Sequence, residues 1–132
     1  MTENKKENLN NRMIKFLFEG APVRGACVQM AEEWQEMIKF HHYPENVAAL
    51  LGQFTAGALL LSSTIKFEGS LILQVKGSGP IAFIYAEVRN PMSVRAMAEI
   101  REGAEIKPEM DLQELINKDG KGLCAQIGRA HV

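Results

Sequence analysis

Apolar and polar positions alternate from Met13 to Glu19, with Ile14, Phe16 and Phe18 on one face. A period of two predicts a β-strand. Gly20-Ala21-Pro22 breaks the run, and alternation resumes from Val23 to Met30 with Arg24, Ala26, Val28 and Met30 together. A hairpin or a bent pair of strands follows from this spacing. The period then changes: Trp34, Met37, Ile38 and His41 fall at i, i+3, i+4 and i+7, one stripe of a helix. Glu32 and Glu33 occupy its first turn, where the helix dipole favours negative charge. Tyr43-Pro44 closes this helix and opens another, because proline suits a helix start and restricts the residue before it.

The second helix is expected over residues 44–64. Val47, Leu50, Leu51, Phe54, Ala58, Leu61 and Ile65 form its apolar stripe, and Gly52, Thr55, Ala56 and Gly57 keep much of its surface small. Small side chains let a neighbouring backbone approach closely. Its carboxyl end is apolar nearly all round at Leu59, Leu60 and Leu61, which predicts cover on more than one side. Phe67-Glu68-Gly69 then turns the chain into an alternating strand, Ser70–Lys76. Gly77-Ser78-Gly79-Pro80 is turn chemistry, and Ile81–Val88 is apolar on both faces, as a central strand would be. Asn90-Pro91 breaks that run. Val94, Ala96, Ala98 and Ile100 alternate with Arg95, Met97, Glu99 and Arg101 in a half-exposed strand. Asp111 is placed to cap a short helix, with Glu114 as its capping-box partner. A final strand begins at Leu123. Strands and two main helices are thus mixed along the chain.

Composition narrows the function. The 132 residues carry a formal net charge of −1, so no basic field is available to hold nucleic acid. The longest apolar tract lies within AGALLLSSTI, short of the ~20 residues that span a bilayer, so no membrane partner is expected. Residues 1–12 are polar and charged without an apolar signal region and read as a disordered leader. Cys27 and Cys124 are the only cysteines. Far apart and without C-x-x-C spacing, they are expected as reduced, buried thiols of a cytoplasmic protein.

Candidate chemistry is sparse. Gly77-x-Gly79 lacks the Lys-Ser/Thr of a phosphate loop, and Pro80 removes a backbone donor, so a hairpin turn is the better reading. His41 and His42 are adjacent and diverge by about 100 degrees on a helix, which prevents both from gripping one metal. Neither cysteine is paired with a histidine by any motif. Ser62, Ser63 and Thr64 read as hydroxyls that bond back to their own helix, and Glu32, Glu33 and Glu36 as a solvated face. No catalytic, cofactor-binding or metal-ligating residue is assigned. The abundant apolar surface is the one feature with functional potential, because exposed patches mark interaction sites. Leu60 and Phe83 are nevertheless expected in the core.

Phe16-x-Phe18-Glu19 followed by Val23-Arg24-Gly25, the Tyr43-Pro44 helix start, Lys66-Phe67-Glu68-Gly69 and Gly77-Ser78-Gly79-Pro80 together resemble the amino-terminal domain of the Hsp33 family of redox-regulated, ATP-independent holdase chaperones. The resemblance implies an α+β fold, a mostly antiparallel sheet packed with two main helices, and a cytoplasmic chaperone, not an enzyme, that binds unfolding proteins during oxidative stress and is a homodimer when active. It also implies a zinc switch of four cysteines, C-x-C and C-x-x-C, in a carboxyl-terminal region. Cys27 and Cys124 match none of those positions, so zinc is expected in the full-length protein and outside this chain.

The last residues read differently from the rest. Ile127 to Val132 can be encoded by ATC GGA AGA GCA CAC GTC, the start of a widely used short-read sequencing adapter. Residues 126–132, including His131, are therefore expected to be a non-native tail, and residues 13–125 an incomplete amino-terminal chaperone domain. The rival reading is a small-molecule-binding or enzymatic α+β domain with a pocket near Gly77–Pro80.

Overall fold

A computed structural model describes residues 11–39, 41–65, 68–89 and 93–129. Lys66-Phe67, Asn90-Pro91, His131 and most of the leader lie outside the described residues. Among the described residues, two antiparallel sheets and three helices confirm the α+β class. The first sheet is a hairpin of β1 (Asn11–Leu17) and β2 (Arg24–Met30). The second has four strands, β3 (Ser70–Lys76), β4 (Ile81–Arg89), β5 (Ser93–Ile100) and β6 (Leu123–Arg129), in the order β5-β4-β3-β6. The helices of the described residues are α1 (Glu32–Lys39), α2 (Glu45–Thr64) and α3 (Leu112–Ile116).

The long helix α2 lies across one face of the four-stranded sheet, and the core forms beneath it. Its amino-terminal half sets Val47 and Leu51 against Ile81, Ile84, Ala98 and Leu115. Its carboxyl-terminal half sets Ala58 and Leu59 against Leu71, Ala86, Val88 and Val94. Phe54 and Ala96 touch both groups and join them. Ile81 and Ile84 are three residues apart, which strict alternation would place on opposite faces. A register shift between Ile81 and Phe83 brings both inward. β4 is an inner strand, as its two-sided apolar pattern implied, and β5 alternates between buried Val94 and Ala98 and exposed Arg95 and Met97.

Small residues on α2 position α1. The Trp34 ring lies over Gly52, where a Cβ would meet Nε1 at 2.7 Å, and this Nε1 donates to the Ala48 carbonyl at 3.1 Å. Buried Thr55 donates its hydroxyl to the Leu51 carbonyl at 2.7 Å, so it enters the core satisfied. Helix α1 ends at Lys39, earlier than the stripe through His41 implied. His42 takes a left-handed conformation (φ 49°) that reverses the chain, and His41 stacks on Tyr43 at 5.3 Å. The Tyr43 hydroxyl then accepts the backbone N–H of Ala98 at 3.1 Å, occupying a donor on outer strand β5.

Helix α2 also revises the expectation drawn from the tract AGALLLSSTI. All 20 residues together are long and apolar enough to cross a membrane. Val47, Leu51, Ala58 and Leu59 are instead fully buried against the sheet. Gln126 to Arg129, expected to be foreign, continue β6 opposite Leu73 to Ser70.

Candidate functional site

The hairpin departs from the packing rules obeyed elsewhere. Met13, Val28 and Met30 share the face that packs on the core beside Ala58 and Leu59. The opposite, more apolar face looks outward. It carries Ile14 and Phe16 as exposed residues, and Phe18 continues the row at 56% exposure. Phe16 and Phe18 contact each other with ring centroids 5.9 Å apart. The Phe16 ring covers Gly25, its cross-strand partner, where any side chain would collide with it. Leu17 (80% exposed) and Val23 (48%) extend the apolar surface around the tip. Five of the nine exposed large hydrophobic residues among the described residues lie between positions 14 and 23.

A groove of about 580 Å³ opens under the same hairpin. One wall comes from Lys15, Leu17, Arg24 and Ala26, and the other from Leu60, Ser63 and Thr64 in the last turns of α2. Register explains the first wall. Lys15 pairs with Ala26 and Leu17 with Arg24, so all four share the face whose other end packs on the core. The three hydroxyls at the helix end bond back as expected: Ser62 donates to Leu59, Ser63 to Leu60 and Thr64 to Leu61, at 2.6, 2.6 and 3.0 Å.

Elsewhere the chemistry is internally satisfied. Glu87 is a buried carboxylate on the sheet face opposite α2, helix-free among the described residues. It accepts from Tyr85 Oη at 2.7 Å, Arg95 Nη2 at 2.9 Å and Arg89 Nε at 3.2 Å. The Tyr85 hydroxyl and the Arg95 guanidinium hold its pKa down at about 2, against the opposing effect of burial. Tyr85, Glu87 and Arg89 stand at i, i+2 and i+4, a same-face spacing readable in the sequence. Arg95 joins them from its register partner position on β5.

The Gly77–Pro80 turn is a packing junction. The Gly77 N–H donates to Ala82 and the Ser78 N–H to Ile116. Arg101 donates to the carbonyls of Gly77 and Gly79 through its side chain and to Pro80 through its backbone. Side chains at 77 and 79 would strike the carbonyl oxygens of Ile81 and of Glu114 and Leu115. These groups are spent on β4, α3 and Arg101, which removes the basis of a ligand cradle at this turn.

The remaining sequence candidates do not converge. His41 and His42 are exposed between the helices, and Glu32 and Glu36 are exposed on α1. Cys27 and Cys124 are both exposed, contrary to the burial expected of them. Cys27 stands opposite Ile14 with its side chain exposed, and Cys124 is on outer strand β6. Leu60 and Phe83, expected in the core, are only half-buried: Leu60 lines the groove and Phe83 packs on Tyr85 across the helix-free face. Among the described residues, no three His, Cys, Asp or Glu side chains are grouped to hold a metal ion. The described residues do not fit a zinc centre.

Comparison with known proteins agrees with the motifs. The family model described as "Hsp33 protein" matches residues 11–129. The chain belongs to the Hsp33 family. Relatives named "33 kDa chaperonin" include those of Chromobacterium violaceum, 37% identical over 86% of this chain, and Neisseria gonorrhoeae, 38% identical over 86% of it. That of Shewanella woodyi is 36% identical, also over 86%. The chain spans 38% of the Chromobacterium protein and 37% of the other two. Within this Hsp33 sequence, the hairpin and its groove are the site that no internal packing accounts for.

Proposed function

We propose that this chain is the client-holding part of an ATP-independent chaperone, an interaction protein with no catalytic role. The observation that carries this reading is the hairpin, which presents Ile14, Phe16, Leu17, Phe18 and Val23 to solvent beside an apolar groove. An apolar surface of this kind captures unfolding chains by removing their own apolar side chains from water. Membership in a family whose relatives are named chaperonins supports the same conclusion. In the full-length protein we propose cytoplasmic action under oxidative stress, as a homodimer whose capture of clients is switched by a zinc centre outside this chain. Nucleic acid and membranes are not its partners in this reading.

The test is suppression of light scattering from a thermally unfolding client protein. The full chain is expected to delay aggregation. Phe16→Ser combined with Phe18→Ser should lose most of that effect while keeping the far-ultraviolet circular dichroism of the parent. Met97→Ser, at an exposed position on the other sheet, should leave it intact. Equal holding by both variants would remove the hairpin from the mechanism.

A further inference from the structure

The groove under the hairpin is not uniformly apolar, and its charge is one-sided. Lys15 and Arg24 stand on the same face of the two strands, at diagonal positions around Leu17 and Ala26. Diagonal neighbours of this length reach one another, so two like charges are held close in one concavity. Among the described residues neither makes an ion pair, and Glu19 in the connecting turn offers neither a partner. The opposite wall is the carboxyl end of α2, which has no basic residue in its last turn. Cations across a groove could serve that negative dipole end. Ser62, Ser63 and Thr64 donate to the carbonyls of Leu59, Leu60 and Leu61, one turn back, so the final carbonyls of the helix share the groove with the two cations. Both cations line the groove next to Leu17, Ala26 and Leu60, without a carboxylate partner among the described residues.

Building on the client-holding role proposed above, we infer that this groove selects extended segments of unfolded polypeptide in which a carboxylate lies beside apolar side chains. The apolar neighbours enter between Leu17 and Leu60, and the Asp or Glu of the client pairs with Lys15 and Arg24 at the mouth. A volume of about 580 Å³ lies within the range of about 300–1,000 Å³ that takes ligands of a few side chains. Such selection favours partly acidic apolar stretches over basic ones of equal hydrophobicity, and it weakens with salt.

The experiment uses the full chain and fluorescein-labelled peptides of one apolar composition carrying Asp, Asn or Lys at one central position, read by anisotropy. At low salt the Asp peptide should bind about tenfold more tightly than the Lys peptide, with Asn between, and high salt should erase the difference. Lys15→Gln with Arg24→Gln should abolish the preference, and Lys15→Glu with Arg24→Glu should reverse it. Thermal melts of both double variants establish that they fold, and the Gln pair carries the test should the Glu pair fail to. A preference unchanged in these variants overturns the inference. So does equal binding of all three peptides, and if Leu60→Asp then still abolishes that binding, client holding stands without charge selection. Absence of binding by every peptide overturns both readings.

Discussion

The four-stranded sheet and the β1–β2 hairpin are written in the same alphabet and end in opposite states. Ser70–Lys76 and Met13–Glu19 both alternate, and both place large apolar residues on one face. In the sheet, Leu71 is buried under α2. In the hairpin, Ile14 and Phe16 face outward, and the face bearing Lys15 and Arg24 turns toward the core. Alternation decides that a segment is a strand and which residues share a face. It does not decide which face is covered, because that depends on where the one long helix lies. Helix α2 packs on β3, β4 and β5, and in the core it meets the hairpin through Met13, Val28 and Met30, with the groove opening beyond them. The apolar residues left over are exposed among the described residues.

The sharpest way to break this contrast is to truncate one residue on each side of it. Ile84→Ala, at a fully buried position, should cost about 2–5 kcal/mol of unfolding free energy, measured by urea titration. Phe18→Ser, at 56% exposure, should cost less than about 1 kcal/mol and instead reduce client holding. A loss of stability at Phe18 comparable to that at Ile84 would mean that the hairpin face is part of the core.

Two glycines sharpen the same contrast at somewhat smaller scale. A Cβ at Gly77 would run into the backbone carbonyl oxygen of Ile81 and come within 3.2 Å of that of Ile116. Neither can move without disturbing β4 or α3, so Gly77→Ala should destabilise by about 1–3 kcal/mol. A Cβ at Gly25 would also collide, but with the outer end of the Phe16 ring, which is free to swing into solvent. Gly25→Ala should cost under about 1 kcal/mol. Comparable costs for the two, measured by the same titration, would show Phe16 to be locked in place and the hairpin to be as tightly built as the sheet.

Much of this division is legible in the order of residues, and the exceptions share a cause. Helix α2, the alternation of β5, the two-sided pattern of β4 and the Asp111 cap, whose carboxylate accepts the Glu114 N–H at 3.0 Å, all rest on local signals. Cys27, Cys124, Leu60 and Phe83 are expected inside because their side chains are apolar, yet none is fully buried. Each stands outside the two clusters packed beneath α2: on the outward side of the hairpin, on outer strand β6, on the groove wall and on the sheet face opposite α2. Layering is a long-range property, and composition carries no trace of it. His41 falls outside its expected helix for a related reason: the turn at His42 depends on a left-handed backbone that the stripe through Trp34 and Ile38 does not reveal. The groove is invisible to a reading of the chain as well, because Leu60 and Arg24 meet only through the tertiary fold.

Charge distinguishes the two regions most finely. On the sheet, Glu87 is enclosed and fully partnered, whereas in the hairpin Lys15 and Arg24 have no ion-pair partner among the described residues. Of these two regions, the sheet should therefore carry the acid dependence of stability. The Glu87 carboxyl titrates at about 2 in the folded chain, below its ordinary 4.5. Between these values the unfolded chain binds the extra proton, so folding stability rises with pH across that window. The contribution of Glu87 is complete above about 4.5 and is lost as pH falls toward 2. Glu87→Gln should cost about 1–2 kcal/mol at neutral pH, the size of charged hydrogen bonds whose arginine partners are themselves exposed. It should also flatten this part of the acid-unfolding profile, followed by circular dichroism, whereas Lys15→Gln with Arg24→Gln should leave that profile unchanged. If the hairpin variant flattened it and Glu87→Gln did not, the stabilising electrostatics would lie in the hairpin, and its cations would be structural rather than free to meet a client.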